Sequence, residues 1–370
     1  MKYQRKMQFP LGDDFNKLFR KNKGDFTEMT LKKEIPTIDL AVSGTSSLNG
    51  VSVDDYNKAF CNTQEEVCNT FTPKKLQSEK LSGIYAELSF YDTPEKKIQY
   101  SKRADRVNEC GSFLEFHLKG DKFKLAKANF CKDRLCPMCS WRRSLKIFGQ
   151  VSQIMDILQE RGDYAFIFLT LTVRNCPAEE LKETIDALNN GWRSLYHDNK
   201  IFKNTVLGTF RTLEITRNAK ENTYQPHLHT ILVVRADYYR HDYLTKNDWQ
   251  EMWKKACGLD YEPIIDVRKI KADGNIKKAV AEVSKYAVKG SDLLHGDLDE
   301  MCDIVRTFLE ALYSRRLCSF TGIFKKIKQE LNLDDIESGD LVNTDNEDLR
   351  SDVASAIIRY GWRYGYYEQF

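Results

Sequence analysis

The chain has 370 residues, of which 41% are hydrophobic and 30% charged, with a formal net charge of +3 and ten cysteines. That length buries a sizeable core and fits two to three domains. No apolar run reaches the length of a membrane span, and Met1-Lys-Tyr-Gln-Arg-Lys is followed by no apolar segment, so neither a membrane protein nor a secreted one is expected. The cysteines are then expected to be reduced thiols in the cytoplasm, some of them metal-bound.

Residues 1–105 mix charge clusters with polar stretches such as Ser43-Gly-Thr-Ser-Ser-Leu-Asn-Gly50. Their periodicity is poor, and an accessory, partly flexible region without assigned structure is expected. Residues 106–145 form a cysteine-rich module. Cys136-Pro-Met-Cys139 reads as a tight, hairpin-like pair, and Cys131 and Cys110 can complete a tetrahedral set, with His117 as a rival fourth ligand. Zinc suits four thiolates because a d¹⁰ ion asks for nothing beyond the tetrahedron, and it can organise a segment lacking its own core. A redox role needs a thioredoxin-like βαβ context that is missing here; unligated thiols remain the alternative. Between Lys122 and Lys146 the cations are opposed only by Asp133. This basic stretch is expected either to attract a phosphate backbone or to be solvated surface. Arg134, Arg142, Arg143 and Lys146 are the candidate DNA contacts within it, with Lys285 further on.

The segment 146–292 alternates strand and helix signals. Tyr164–Val173 reads as a buried strand with Thr170 and Thr172 on one face. After Pro177 the apolar residues Leu181, Ile185, Leu188, Trp192 and Leu195 keep helical spacing. Val206–Thr216 and Pro226–Val234 follow as strands joined by the polar loop 218–224. Thr245 caps a helix through Ala256, with Trp249, Met252 and Trp253 inward and Gly258 as its stop. Tyr261–Ile270 is a fourth strand. The order β-α-β-β-α-β is that of the split βαβ, giving an α+β fold with a ferredoxin-like antiparallel sheet.

Two patterns on this frame carry chemistry. In Gln225-Pro-His-Leu-His-Thr230 the histidines are two apart on a strand, so His227 and His229 share a face and can offer ring nitrogens to one divalent cation. The bland alternative is one packed and one solvated histidine. Downstream, Ile276, Ala279, Val280, Val283 and Ala287 mark one helix over Asn275–Lys289, capped by Asp273 and stopped by Gly290. On that helix Glu282, Tyr286 and Lys289 fall on one stripe, which by itself is equally a solvated face. Residues 293–370 turn acidic, then helical around Met301–Leu317 and Ile323–Leu331. They end in the aromatic tail Tyr360-Gly-Trp-Arg-Tyr-Gly-Tyr-Tyr-Glu-Gln-Phe370. The tail's rings alternate with Gly and Arg and can stack on bases, but packing onto the domain is expected.

Taken together, Phe168-Leu-Thr-Leu-Thr-Val173, His227-Leu-His229, Glu282-Val-Ser-Lys-Tyr286-Ala-Val-Lys289 and the Cys131–Arg143 module resemble the HUH endonucleases. More closely, they are similar to the rolling-circle replication initiators (Rep) of small bacterial plasmids, over roughly residues 110–290. The resemblance implies an origin-specific nickase in which Tyr286 becomes joined to DNA as a 5′-phosphotyrosine and a 3′-hydroxyl primes a polymerase. It implies a Mg²⁺ or Mn²⁺ ion on His227 and His229. Together with the hairpin, which sets the preceding strand beside His227, it makes Glu214 the third ligand. Lys289 would favour the phenolate electrostatically. Glu282 occupies the slot where rolling-circle transposases carry a second tyrosine, and by resemblance it acts as the general base that lets water end the cycle. The implied partners are the plasmid origin, single-stranded or as a hairpin nick site, and a host helicase of the PcrA type. The competing readings are a rolling-circle transposase, a conjugative relaxase and a non-catalytic zinc-containing DNA-binding regulator.

Overall fold

A computed structural model describes residues 53–271, 275–285, 287–288, 290–344 and 356–370. Residues 1–52 of the accessory region, the Asp273 cap and positions 345–355 of the acidic stretch lie outside the described residues. From Val53 onward the expectation of unassigned structure does not hold. Helix α1 (Val53–Glu66) passes through a π turn (Val67–Phe71) into α2 (Thr72–Tyr91), and α3 (Pro94–Glu109) follows. Each of α2 and α3 has a proline at its start, where no amide hydrogen is needed. Leu81, Ile84, Tyr85 and Leu88 of α2 and Tyr100, Ala104 and Val107 of α3 are buried at helical spacing. The stripe is hard to read because polar residues interrupt it. Lys75, Ser78 and Ser82 are also buried, Lys75 donating to the Asn108 carbonyl and Ser82 to the Ala104 carbonyl at 2.8 Å.

Strands β1 (Phe113–Lys119) and β2 (Lys122–Ala128) form an antiparallel pair, and α4 (Pro137–Arg161) begins within the cysteine motif. Gly162, at φ 73°, ends α4 in the left-handed region that glycine enters without strain.

The central sheet follows. β3 (Tyr164–Thr172) leads through a short 3₁₀ turn (Ala178–Glu180) to α5 (Leu181–His197), then β4 (Val206–Asn218) and β5 (Thr223–Arg235). Next come α6 (Lys246–Cys257), β6 (Ile265–Ile270) and α7 (Asn275–Val283). The Thr245–Asp248 capping box opens α6 and Gly258 closes it. After α8 (Leu298–Ala311), β7 (Cys318–Thr321) joins the sheet, and α9 (Gly322–Glu330) packs back onto it, with the buried Phe324 ring 6.4 Å from Phe210 of β4. The strand order is β6-β3-β5-β4-β7 with every pair antiparallel. Its first four strands have the split-βαβ arrangement expected from the sequence, with β7 added at the edge.

Alternation along β4 assigns the faces. Arg211 reaches Asn189 and Trp192 of α5, so α5 covers one face. Thr212, one residue on, donates to the Val283 carbonyl of α7 and so points to the other. Trp253 of α6 is fully buried and donates through Nε1 to the Thr172 carbonyl at 2.9 Å.

Three expectations need correction. The helix read as Asn275–Lys289 stops at Val283, and Gly290 opens a short helical turn (Gly290–Leu293) instead of stopping the longer one. The reason lies in competing hydrogen bonds: Val283 O accepts from Thr212 Oγ1, Ser284 Oγ donates to Val280 O, and Ala287 O accepts from Ile215 N. These bonds carry the chain off helix geometry and onto the β4 edge. The helix read as Met301–Leu317 ends at Ala311, because Cys318–Thr321 pairs with the outer edge of β4. Finally, the C-terminal region is not only helical. Its tail forms the hairpin β8 (Ile357–Arg363) and β9 (Tyr366–Gln369), which completes a second sheet ordered β2-β1-β8-β9. The tail does pack as expected: Tyr360 meets Phe116 edge to face with ring centroids 6.0 Å apart, and Tyr367 donates to the Gly111 carbonyl.

Candidate functional site

On the sheet face opposite α5, three ligand groups converge. Glu214 of β4 is the direct cross-strand partner of His227 on β5, and His229 lies between Thr212 and Thr170 of the flanking strands. His229 Nε2 is 3.0 Å from Glu214 Oε2 and 3.1 Å from His227 Nε2, while His227 Nε2 is 3.7 Å from Glu214 Oε2. A cation with bonds of about 2.1 Å sets neighbouring ligand atoms roughly 3.0 Å apart in an octahedron and about 3.4 Å apart in a tetrahedron. The three groups can therefore hold a metal ion with little rearrangement. All three are buried.

The other ring nitrogens are already engaged. His227 Nδ1 donates to the Gln225 carbonyl, both at 3.1 Å from it and within the same strand, and His229 Nδ1 sits 3.1 Å from Thr170 Oγ1. Since a carbonyl only accepts, His227 carries its proton on Nδ1 and presents a lone pair at Nε2 when neutral. His229 Nε2 lies within 3.1 Å of the His227 lone pair and 3.0 Å of the Glu214 carboxylate, so either a proton or a cation at that point can join the acceptors; a cation needs the His229 proton on Nδ1, towards Thr170. Phe168, two residues before Thr170, packs on the His229 ring with centroids 5.7 Å apart. Thr170 and Phe168 were legible as strand residues; their contact with His229 depends on the strand pairing.

Glu282 lies on α7 near its end. Its two oxygens are 3.0 and 3.1 Å from Arg268 Nη2, and the Arg268 guanidinium stacks 4.4 Å from the Phe168 ring. Arg268 Nε also reaches Asp266 Oδ2 at 2.6 Å. A chain of contacts thus runs from Glu282 through Arg268 and Phe168 to His229. Sequence reasoning missed Arg268, which is one charged residue among many until β6 pairs with β3. Tyr286 and Lys289 lie outside the described residues. Their neighbours are described: Lys285 is exposed, and Ala287 O accepts from Ile215 N at 2.9 Å, one residue beyond Glu214.

The second cluster is made of Cys110, Cys131, Cys136 and Cys139, whose sulfurs can hold a metal ion. Sγ separations of 3.5 Å (Cys110–Cys139), 3.6 Å (Cys110–Cys136) and 3.7 Å (Cys131–Cys139) approach the edge of about 3.8 Å for a tetrahedron with metal–sulfur bonds of about 2.3 Å. Cys136 is not in a hairpin: it is the N-cap of α4, with Pro137 and Cys139 in the first turn. The amides of Cys131, Lys132 and Asp133 donate to Cys110, Cys139 and Cys131 sulfurs, and Lys132 takes φ 59° to direct its own. Burial disfavours a thiolate at Cys136, but hydrogen bonds from the other three thiols and Ser78 hold it well below the usual thiol range. His117 is not a ligand here. It pairs with Glu115 at 2.8 Å.

The expected DNA contacts fall mostly inside the fold. Arg142 is buried and donates to the Leu341 and Val342 carbonyls; Arg143 is buried and donates to the Lys132 and Asp133 carbonyls. Lys146 is buried against Asp334 Oδ2 and Asp340 O, each at 2.5 Å. Arg142 and Lys146 are bound by residues 334–342 and Arg143 by the cysteine loop, so these three cannot present their charge on a DNA-binding surface. Arg134 is half-buried, bonded to Leu312 O and Glu337. Along α4, helical periodicity sets Arg142, Arg143 and Lys146 on the inward side, three and four residues apart, which a linear charge count does not register.

The described helices include none long and apolar enough to cross a membrane. No solved structure matched the chain. The Replication protein family matches residues 122–368, which covers both candidate metal-ligand clusters apart from Cys110. Among curated relatives, a "Protein rep" of Bacillus amyloliquefaciens is 42% identical over 280 residues, 70% of this chain and 82% of the relative. A second, from Streptococcus pneumoniae, is 36% identical over 77% of this chain and 87% of its own length. A "Replication protein" of Staphylococcus aureus is 34% identical over 56% and 92% respectively. The family match, spanning well over half the chain and supported by these relatives, means that the chain belongs to the plasmid replication-initiator (Rep) family.

Proposed function

We propose that the chain is an origin-specific, metal-dependent single-strand DNA nicking-closing enzyme acting in the cytoplasm. The observation that carries this reading is the convergence of Glu214, His227 and His229 on the sheet face opposite α5, with ligand atoms 3.0–3.7 Å apart. A bound Mg²⁺ or Mn²⁺ ion would polarise a non-bridging oxygen of the scissile phosphate. Tyr286 is the nucleophile: its phenol oxygen forms a bond to phosphorus as the bond to the 3′ oxygen breaks in line. The phenol surrenders its proton, the departing 3′ oxygen gains one, and the products are a 5′-phosphotyrosine and a 3′-hydroxyl primer. The Ala287–Ile215 backbone bond supports this assignment, because it brings the residue next to Tyr286 alongside Glu214. Lys289 stabilises the phenolate.

Glu282 takes the proton from the water that attacks the phosphotyrosine at termination. Arg268 is its positioning residue, holding both carboxylate oxygens. Zinc is the ion proposed for the four cysteines, with a structural role, since its four sulfurs leave no open position. The partners are the plasmid origin, a host helicase of the PcrA type and DNA polymerase.

A nicking assay on supercoiled plasmid carrying the origin tests the reading. Wild type should relax it, His227→Ala with His229→Ala should abolish relaxation at any Mn²⁺ level, and Tyr286→Phe should bind the origin without forming covalent adducts. Adducts from Tyr286→Phe would refute the nucleophile. Binding without relaxation by the wild type would make the chain a regulator. Glu282→Ala should leave the first cut intact and slow hydrolytic release, and an unchanged release rate removes Glu282 from the mechanism.

A further inference from the structure

The outer face of the second sheet takes no part in the site above. Along β1, Leu114, Phe116 and Leu118 are buried, Phe116 against Phe71 with ring centroids 5.9 Å apart, so the odd-numbered residues face the other way. Register brings Lys127 and Arg359 to either side of Glu115, and Lys122 opposite Lys119. Glu115 is buried beneath these neighbours, bonded to His117 at 2.8 Å, Arg359 at 2.7 Å and Lys127 at 3.1 Å. Among the described residues, this face carries Lys119, Lys122, Lys124, Lys127, Arg359 and Arg363 against the carboxylates of Glu115 and Glu368. Lys122 is exposed, and the Lys127 and Arg363 side chains are 67% and 70% exposed, Arg363 lying 4.0 Å from Glu368.

The same face also carries rings. Tyr366 faces outward beside Arg363, and Phe370 is 71% exposed. The Phe370 ring lies over Gly361, where a Cβ would come within 3.3 Å of it and push the ring outward by a few tenths of an ångström. Phe113 flanks it at 6.3 Å. The tail therefore divides its aromatic residues: Tyr360, Trp362 and Tyr367 turn inward to pack, Tyr364 sits exposed in the turn, and Tyr366 and Phe370 turn outward.

We propose that this face is a single-stranded DNA platform, with the cations following the phosphates and Phe370 and Tyr366 stacking on bases. A surface that met only duplex backbone would need the charge and not the rings, since paired bases offer no open π-face. The inference extends the proposed function by adding a contact for single-stranded DNA away from the chemistry. It is tested by binding alone, so its failure is separable from failure of the nicking mechanism.

The probe is a fluorescein-labelled oligonucleotide of about 15 nucleotides lacking origin sequence, titrated by anisotropy into the full chain carrying Tyr286→Phe over a range of salt. The same sequence as duplex is run in parallel. Lys122→Gln, Lys127→Gln and Arg363→Gln together should weaken single-strand binding at least about tenfold and reduce the salt slope by about 2, near 0.7 per lost phosphate contact. Phe370→Ala should weaken it roughly five- to hundredfold with the slope unchanged. If the triple variant does not fold, Lys122→Gln with Arg363→Gln, which leaves Glu115 and its partners intact, carries the charge arm. Unchanged affinity in folded variants overturns the proposal. So does a Phe370→Ala chain that binds normally while charge removal weakens single strand and duplex alike, because that marks a duplex-backbone contact only.

Discussion

Thr170→Val isolates the support of the metal site from the site itself. Thr170 lies directly across from His229 in the β3–β5 pairing, and its Oγ1 is 3.1 Å from His229 Nδ1. Valine keeps the shape and the strand preference and removes only the hydroxyl. His229 is 7% exposed, so water has little access to replace the lost partner. A neutral hydrogen bond is worth about 0.5–1.5 kcal/mol, and leaving a buried donor unmatched costs about 1–3 kcal/mol. Loss of the outer partner of a metal-ligating histidine weakens metal binding about 10- to 100-fold, or roughly 1.4–2.7 kcal/mol. The two estimates agree. Mn²⁺ titrated into the full chain and followed by electron paramagnetic resonance should give a dissociation constant higher by that factor. Thiolates are poor Mn²⁺ ligands, so the cysteine cluster should not contribute. The nicking rate should recover at saturating metal, because the ligands themselves are untouched. An unchanged Mn²⁺ affinity, in a protein where His229→Ala destroys it, would refute the role given to Thr170.

Three further outcomes follow from the packing. Cys136→Ala with Cys139→Ala should eliminate zinc measured by elemental analysis and lower the melting temperature by about 10 °C or more; a metal-free wild type that melts normally would remove the zinc assignment. Lys146→Ala should destabilise folding by about 1–3 kcal/mol in urea titrations, because it removes the buried ammonium that bonds Asp334 and the Asp340 carbonyl, while Asp334, 42% exposed, keeps its solvation and the folded fraction binds DNA as before; a large loss of DNA affinity without loss of stability would reinstate Lys146 as a DNA contact. Glu115 gives a pH signature. Burial raises its carboxyl pKa, but hydrogen bonds from His117, Arg359 and Lys127 prevail and lower it to about 2. A lowered folded-state value stabilises above the unfolded carboxyl range, near pH 4.3. The stability gap between wild type and Glu115→Gln should therefore be full above about pH 5 and shrink as pH falls towards 2. A gap that does not change with pH would contradict the pairing.

Local pattern carried much of the frame. The helix over Leu181–His197 was readable because its apolar residues recur at one spacing, and the capped helix at Thr245 because its cap, stripe and glycine stop agree. His227 and His229 could be placed on one face from strand alternation alone. Glu214 needed only the hairpin between its strand and theirs. Where reading failed, backbone groups or long side chains found partners distant in sequence. Nothing near Val283 marks the end of α7; Thr212, seventy-one positions earlier, takes its carbonyl. Likewise Lys146 looks like surface charge until Asp334 is brought to it, 188 positions on.

What the amino-acid order determined by itself was the split-βαβ succession, the paired histidines on one strand face and the set of four cysteines, each readable from local spacing or from the order of the elements. Tertiary structure decided which charges remain available to a ligand. It buried Arg142, Arg143 and Lys146, fastened Glu282 to Arg268, and gathered Lys122, Lys127, Arg359 and Arg363 on one exposed sheet face. Periodicity reports which way a side chain points from its own backbone. Whether water, a carboxylate or DNA meets it there depends on the segment packed opposite, and that segment comes from another part of the chain.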